Sequence, residues 1–177
     1  MTHVVLTGFM GVGKTAVGRR LARRLGRPFI DTDQLIEEAA GKPISQIFED
    51  HGETYFRDLE CRVIADLEPQ SPAVISTGGG TFANDANRRR LEELGVTVCL
   101  MTKLETILER VQRNDRRPLA QGPEGRKRLE RLLKERMPSY RKADVLIETD
   151  SLSIDQSMQR VLNMIEPRLK QDEGVPE

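Results

Sequence analysis

The chain has 177 residues, a length typical of a single domain, and a chain of this size can bury a stable core without disulfides or a structural metal. Its 28 Lys and Arg balance its 28 Asp and Glu, which argues against a general nucleic-acid or membrane-surface binder, and its apolar runs of about five residues are far below the roughly 20 that a membrane span needs. Lys14 and Arg19 interrupt the apolar N-terminus, so no signal peptide is recognisable. The spacing of Cys61 and Cys99 fits neither a metal site nor a redox pair. We therefore expect a cytoplasmic protein.

Short apolar runs rich in β-branched residues alternate with longer stretches of helical period. This pattern is typical of an α/β protein with a parallel sheet and crossover helices. Because the runs are nearly continuous, they predict strands that are buried on both faces. The predicted strands are 4–6, 29–30, 73–75, 96–100 and 145–147. The predicted helices are 14–25, 34–40, 45–50, 53–67, 85–94, 104–112, 125–137 and 153–170.

Neither an internal repeat nor a Pro- or Ser-rich linker divides the chain, which predicts one domain over residues 1–170. Residues 113–125 lack an apolar period and contain both Pro and Gly. A loop of that length within a compact domain is often a functional lid. Residues 171–177 are predicted to be a polar C-terminal tail.

The clearest motif is GFMGVGKT at residues 8–15, which matches G-x-x-x-x-G-K-[ST] between a predicted strand and a predicted helix. Its glycines allow backbone N–H groups to surround phosphate oxygens at a helix N-terminus. Lys14 would reach the β- and γ-phosphates of a nucleotide, and the Thr15 hydroxyl would bind Mg²⁺. The chain lacks the N-K-x-D stretch expected of a GTPase switch, and the third predicted strand ends in Ser76-Thr77-Gly78 rather than in the acidic residues typical of motor ATPases. A small phosphotransferase with a lid fits better.

Other candidate site residues follow the second and third predicted strands. Asp31 and Asp33 stand where the parallel sheet should bind ligands, although a helix N-cap explains such residues equally well. Three consecutive glycines at 78–80 favour a close backbone approach to an anion over a plain turn. Arg57 and Glu60 share a helix face, and on spacing alone a solvated surface pair is the commoner explanation.

Taken together, these motifs resemble the shikimate kinase family. The matching stretches are GFMGVGKT at 8–15, DTD at 31–33, FRDLE at 56–60, GGG at 78–80, RPL at 117–119, and Arg136 followed by Pro138 and Tyr140-Arg141. The resemblance implies a three-layer P-loop kinase fold of the nucleoside-monophosphate-kinase type, with a five-stranded parallel sheet in the order 2-3-1-4-5. It also implies ATP- and Mg²⁺-dependent phosphorylation of the shikimate 3-hydroxyl, a step in the biosynthesis of chorismate and the aromatic amino acids.

The resemblance further implies roles for individual residues. ATP would be bound by Gly11, Val12, Gly13, Lys14, Thr15, Ala16, Arg110 and Arg117, with Arg110 stacked on adenine. Shikimate would be bound by Asp33, Arg57, Gly79 and Arg136. Lys14, Asp33 and Arg117 would be catalytic, and Arg116 could share the role of its neighbour. Thr15 would bind Mg²⁺ directly and Asp31 through water.

Two alternatives stay open at this point. The chain could be a related small-molecule kinase, such as one acting on gluconate, or a nucleotide-gated binding module that transfers no phosphoryl group. The first predicts activity on a polyol acid without the shikimate ring, and the second predicts ATP binding that is independent of any acceptor. For the kinase we expect a monomer whose partners are shikimate and ATP, and neither nucleic acid nor membrane.

Overall fold

The computed structural model describes residues 2–112 and 124–173, which contain a five-stranded, wholly parallel sheet. The strand order is β2-β3-β1-β4-β5, which confirms the order implied by the family resemblance. The strands are β1 (His3–Thr7), β2 (Phe29–Asp31), β3 (Val74–Ser76), β4 (Gly95–Met101) and β5 (Val145–Glu148). Each overlaps one of the predicted strands.

Helices connect the strands and flank the sheet. They are α1 (Lys14–Leu25), α2 (Thr32–Ala40), α3 (Ile44–Ala65), α4 (Asp85–Leu94), α5 (Leu104–Gln112), α6 (Gly125–Tyr140) and α7 (Ile154–Glu173). Gly52, with a φ of 78°, interrupts α3 at the boundary between two of the predicted helices. Helix α7 continues to Glu173, within the stretch predicted to be a tail, because Gln and Glu favour helix even where no apolar face guides them. In the part of the chain described, no helix is both long enough and apolar enough to cross a membrane.

The strands differ in burial according to their place in the sheet. Central strands β1 and β3 are buried throughout, as their apolar sequences predict. The prediction of burial on both faces is wrong for the two edge strands: β2 is half-buried, and β5 alternates between buried and exposed residues. Leu146 of β5 is 41% exposed. A single apolar run therefore does not distinguish a central strand from an edge strand.

A second apolar cluster lies apart from the main core and packs α2 against α3. Its buried members are Ile36, Ile47, Phe56 and Leu59. Phe56 and Leu59 directly precede Arg57 and Glu60 in the chain. The cluster thus anchors, against α2, the turn of α3 that carries Arg57 and Glu60.

Parallel strands bring the candidate residues to one edge, because all five strands have their carboxyl ends on the same side of the sheet. Strand β1 leads into the phosphate-binding loop (residues 8–15), β2 into Asp31 and β3 into residues 77–80. Gly8, with a φ of 128°, lies against β4, and a Cβ at this position would be 2.3 Å from the carbonyl oxygen of Leu100. Only glycine therefore permits the loop to leave β1 at this angle.

Candidate active site

The phosphate-binding loop wraps around the amino end of α1. Lys14, the first residue of α1, is buried, and its Nζ donates hydrogen bonds to the carbonyl oxygens of Gly8 (2.8 Å) and Phe9 (2.9 Å). Gly13 has a left-handed φ of 103° at the N-cap, where no side chain caps the helix. The amino end of α1 therefore suits an anion, which its first N–H groups and the helix dipole would favour.

The other predicted ATP-binding residues of this region line the same loop. Val12 is buried in the core, so its contribution to a nucleotide site comes from its backbone. Arg110 of α5 donates from Nη1 to the carbonyl oxygens of Gly11 and Val12, both at 3.3 Å. The side chain predicted to stack on adenine thus lies against the loop predicted to hold the phosphates. Ala16 lies half-buried in the first turn of α1.

Thr15 and Asp31 come together from the ends of two strands. The exposed Thr15 hydroxyl donates to Asp31 Oδ2 at 3.1 Å. The other oxygen, Asp31 Oδ1, accepts from the backbone N–H of Asp33 at 3.2 Å and caps α2. The N-cap and the binding-site explanations of Asp31 are therefore compatible, since one carboxylate oxygen serves each.

Hydroxyl and carboxylate oxygens are the donors that Mg²⁺ prefers, and Mg²⁺ bound to a nucleotide commonly uses one or two protein ligands besides phosphate oxygens and water. The pair formed by Thr15 and Asp31 fits that requirement. Across residues 2–112 and 124–173, no group of three or more His, Cys, Asp or Glu could hold a metal without further ligands.

The three glycines at 78–80, here called the glycine turn, separate the phosphate-binding loop from the acidic end of β2. A Cβ on Gly78 would lie 2.6 Å from Asp33 Oδ1, and one on Gly79 would lie 3.0 Å from the backbone nitrogen of Met10. Side chains at these positions would force the neighbouring groups apart. The glycine turn therefore lets Asp33 and the phosphate-binding loop approach a single backbone segment.

The third glycine makes room for Arg57, since a Cβ on Gly80 would lie 2.7 Å from Arg57 Nη1. The same Nη1 donates to Glu60 Oε2 at 2.9 Å, and Glu60 Oε1 accepts from the Thr81 hydroxyl at 2.7 Å. The Glu60 side chain is only 1% exposed, so the interpretation of Arg57 and Glu60 as a solvated surface pair is wrong. The spacing was compatible with both interpretations, and the turn packed over α3 decides between them.

The environment keeps Arg57 charged. Burial of the guanidinium disfavours its charge, but the charge and hydrogen bond of Glu60 outweigh this and raise the Arg57 pKa above its usual value. Glu53 adds a longer contact, with 3.3 Å between Oε1 and Arg57 Nη2. A fixed, charged guanidinium beside the glycine turn is suited to bind a carboxylate.

A second arginine, from a different helix, also reaches the glycine turn. Arg136 of α6 is 9% exposed, and its Nη1 donates to the carbonyl oxygen of Gly79 at 3.2 Å. Its guanidinium carbon lies 5.7 Å from the centre of the Phe9 ring in the phosphate-binding loop. The hydroxyl of Tyr140, one helical turn later, donates to the same Gly79 carbonyl. Arg136 is thereby held between the two loops.

The structure thus brings together the predicted residues at the sheet edge and the phosphate-binding loop. Sequence reasoning gave no role to Tyr140, Thr81 or Phe9. For Tyr140 a signal existed, because it stands four residues after Arg136 and so shares its helix face. Arg117, its neighbour Arg116 and most of the predicted lid at 113–125 lie outside the described residues, so their roles stay predictions.

One edge of the sheet thus carries a phosphate-binding loop, a carboxylate and two largely buried arginines. This combination defines the chain as a P-loop kinase for a small anionic acceptor. The family model described as shikimate kinase matches residues 10–166. The chain belongs to the shikimate kinase family.

Individual relatives agree with this assignment. The shikimate kinase of Ruegeria pomeroyi is 48% identical over 93% of this chain and 85% of its own length, and that of Thermodesulfovibrio yellowstonii is 42% identical over 94% and 96%. Among solved structures, shikimate kinase from Acinetobacter baumannii in complex with shikimate aligns with a TM-score of 0.89 and 40% identity, covering 95% of this chain and 94% of that one.

The gluconate alternative has weaker support. A gluconokinase from Sinorhizobium meliloti aligns with a TM-score of 0.56 at 17% identity, covering 96% of this chain and 97% of that one. At that identity the likeness shows a shared fold and says nothing of a shared acceptor.

Proposed function

We propose that this chain transfers the γ-phosphoryl group of ATP to the 3-hydroxyl of shikimate, giving shikimate 3-phosphate and ADP, in the biosynthesis of chorismate and the aromatic amino acids. The observation that carries the proposal is the position of Gly79. Its α-carbon lies so close to the backbone of Met10, in the phosphate-binding loop, that a Cβ would be 3.0 Å from the Met10 nitrogen. Its carbonyl oxygen accepts a hydrogen bond from Arg136. One residue therefore joins the place for the phosphoryl donor to the place for an anionic acceptor.

Acceptor recognition would rest on the two arginines beside the glycine turn. Arg57 and Arg136 offer planar guanidinium groups, which pair with a carboxylate through two parallel hydrogen bonds and orient it better than lysine would. Glu60 fixes the first and the Gly79 carbonyl the second. With the acid group of shikimate held in this way, the ring hydroxyls would face Asp33, and the Gly79 backbone would complete the site.

Asp33 would orient the attacking hydroxyl and accept its proton as the phosphoryl group is transferred. Its Oδ1 stands beside Gly78, and its backbone N–H is held by Asp31. The carboxylate therefore projects from the first turn of α2 to the glycine turn, which the acceptor arginines and the phosphate-binding loop also approach.

The donor side would act by positioning and charge stabilisation, which supply most of the rate in phosphoryl transfer. The backbone from Gly11 to Ala16 would hold the β- and γ-phosphates, with Lys14 leaving the loop carbonyl oxygens to follow the transferring group. Arg117 would add a positive charge there, and Arg110 would support adenine. Thr15 and, through water, Asp31 would hold Mg²⁺, which when bound offsets the charge of the phosphate oxygens. The protein would work as a cytoplasmic monomer.

The test is an assay of ADP release with shikimate or gluconate as acceptor, with the product identified by ³¹P and ¹³C NMR. We expect shikimate-dependent turnover and a phosphorus coupling to carbon 3 of the ring. Lys14→Ala should keep the fold by circular dichroism and lose turnover. Turnover with gluconate but not with shikimate would show that the acceptor is a polyol acid and would contradict the proposal. ATP binding without transfer to either compound would identify a nucleotide-binding module instead.

A further inference from the structure

Tyr140 has no part in the function proposed above, yet its hydroxyl is at the centre of the acceptor side. We propose that Tyr140 is a positioning residue for acceptor binding: its hydroxyl holds the Gly79 carbonyl, and so keeps the Gly79–Gly80 peptide in place beside Arg57 and Arg136. The inference rests on the proposed function, since it concerns how the same site holds its acceptor.

The hydrogen bond joins a buried side chain to a backbone segment that otherwise has high conformational freedom. Tyr140 is 1% exposed, and a buried hydroxyl requires a partner. Its partner is the carbonyl oxygen of Gly79, in a segment of three glycines whose backbone freedom is the largest of any residue type. Helix α6, to which Tyr140 belongs, supplies the rigidity that the glycine turn lacks.

Fixing this carbonyl fixes a whole peptide plane. The plane contains the Gly79 carbonyl and the Gly80 N–H, since the peptide bond is planar. The arginines lie at its two ends: Arg136 donates to the carbonyl oxygen, and Arg57 packs so closely on Gly80 that a Cβ there would lie 2.7 Å from its Nη1. Rotation of this peptide would therefore move the surroundings of both arginines together.

Tyr140 also allows Arg136 to exchange partners. A carbonyl oxygen accepts two hydrogen bonds, and that of Gly79 accepts one from Arg136 and one from Tyr140. When Arg136 turns its Nη1 to an acceptor carboxylate, the Tyr140 hydroxyl still satisfies the carbonyl. Without that hydroxyl, Arg136 would bind the acceptor only by leaving the partly buried Gly79 carbonyl oxygen without either of its two side-chain donors. Burial raises the pKa of Tyr140 above that of a free tyrosine, so the hydroxyl remains a donor at the pH of any kinase assay.

The test compares Tyr140→Phe with Tyr55→Phe, which is a matched control because the chain has two tyrosines and Tyr55 is 40% exposed. For Tyr140→Phe we expect the KM for shikimate to rise about 5- to 20-fold, with the KM for ATP nearly unchanged and the thermal unfolding temperature lowered by only about 2–4 °C. Tyr55→Phe should leave both KM values as they are. An unchanged KM for shikimate, or an equal rise of both KM values, would overturn the proposal, since the latter is what a merely structural residue gives.

A second comparison uses Arg136→Lys as the background. If Tyr140 acts on Arg136 through the shared carbonyl, removal of its hydroxyl should raise the KM for shikimate less in the lysine variant than in the wild type. Equal increases in the two backgrounds would contradict this coupling. The wild-type assay with shikimate is read first, so that failure of the proposed function is distinguished from failure of the role of Tyr140.

Discussion

Glu60→Gln removes a buried negative charge while keeping the size and shape of the side chain. Its effect can be worked out from the structure. The carboxylate is 1% exposed and accepts from Arg57 Nη1 at 2.9 Å and from the Thr81 hydroxyl at 2.7 Å. Glutamine keeps the volume and one acceptor oxygen. It loses the negative charge and replaces the second oxygen with a donor, which the Thr81 hydroxyl can meet by accepting, so the contact with Arg57 survives only as a hydrogen bond without its ionic part.

Breaking a buried ion pair by removing one partner costs about 3–5 kcal/mol in unfolding free energy. The expected effect here is smaller, because Gln retains one acceptor, the Arg57 side chain is 29% exposed and Glu53 still contacts it. We expect a loss of about 1–3 kcal/mol in the free energy of unfolding and, since Arg57 loses its fixed orientation, a rise of about tenfold in the KM for shikimate.

The control is Glu53→Gln, which removes a charge from the same arginine at an exposed position. Glu53 is 60% exposed and its contact with Arg57 is 3.3 Å, so this variant should lose at most about 1 kcal/mol and keep its KM values. Urea unfolding gives the free energies, and steady-state kinetics with each substrate varied gives the KM values. Equal effects of the two variants would refute the argument that burial makes Glu60 the orienting partner.

Three further variants test other residues. Arg136→Ala should weaken shikimate binding by about 2–4 kcal/mol, measured by calorimetry, because it removes one of two carboxylate partners; an unchanged Kd would place Arg136 outside the site. Arg117→Ala should lower kcat more than it raises the Kd for shikimate, and equal losses would indicate a simple binding role. Burial lowers the pKa of His3 from its usual 6.5, so the stability gained from the neutral ring is present above that value and is lost as the pH falls below it. His3→Asn should retain an acceptor for the Ala73 N–H. Between pH 7.5 and 5.5, the free energy of unfolding in urea should fall less for this variant than for the wild type. Equal decreases would contradict the role of His3.

The sequence predicted the sheet and the phosphate-binding loop well because both are encoded locally. Continuous apolar runs marked all five strands, and the G-x-x-x-x-G-K-[ST] spacing located the turn before α1. The start of α4 is also encoded locally, since Asn84, a residue type typical of helix N-caps, accepts from two N–H groups there. Strand position was not readable, because an apolar run such as Val145 to Ile147 reads the same at an edge as in the middle of the sheet.

The arrangement of the acceptor side could not be derived from the sequence, because it depends on contacts between distant segments. The burial of Glu60 results from Thr81 and the glycine turn, some twenty residues away in the chain. Likewise the glycines at 78–80 predicted a close backbone approach to an anion, but not the close packing of Asp33, Met10 and Arg57 around them that the structure shows.

The central claim is that the phosphoryl donor and an anionic acceptor meet across the glycine turn, and the release of ADP with and without shikimate tests it most directly. We expect rapid ADP release only when shikimate is present, with one shikimate 3-phosphate formed for each ADP. ADP released at the same rate in the absence of shikimate, or without phosphorylated product, would contradict it.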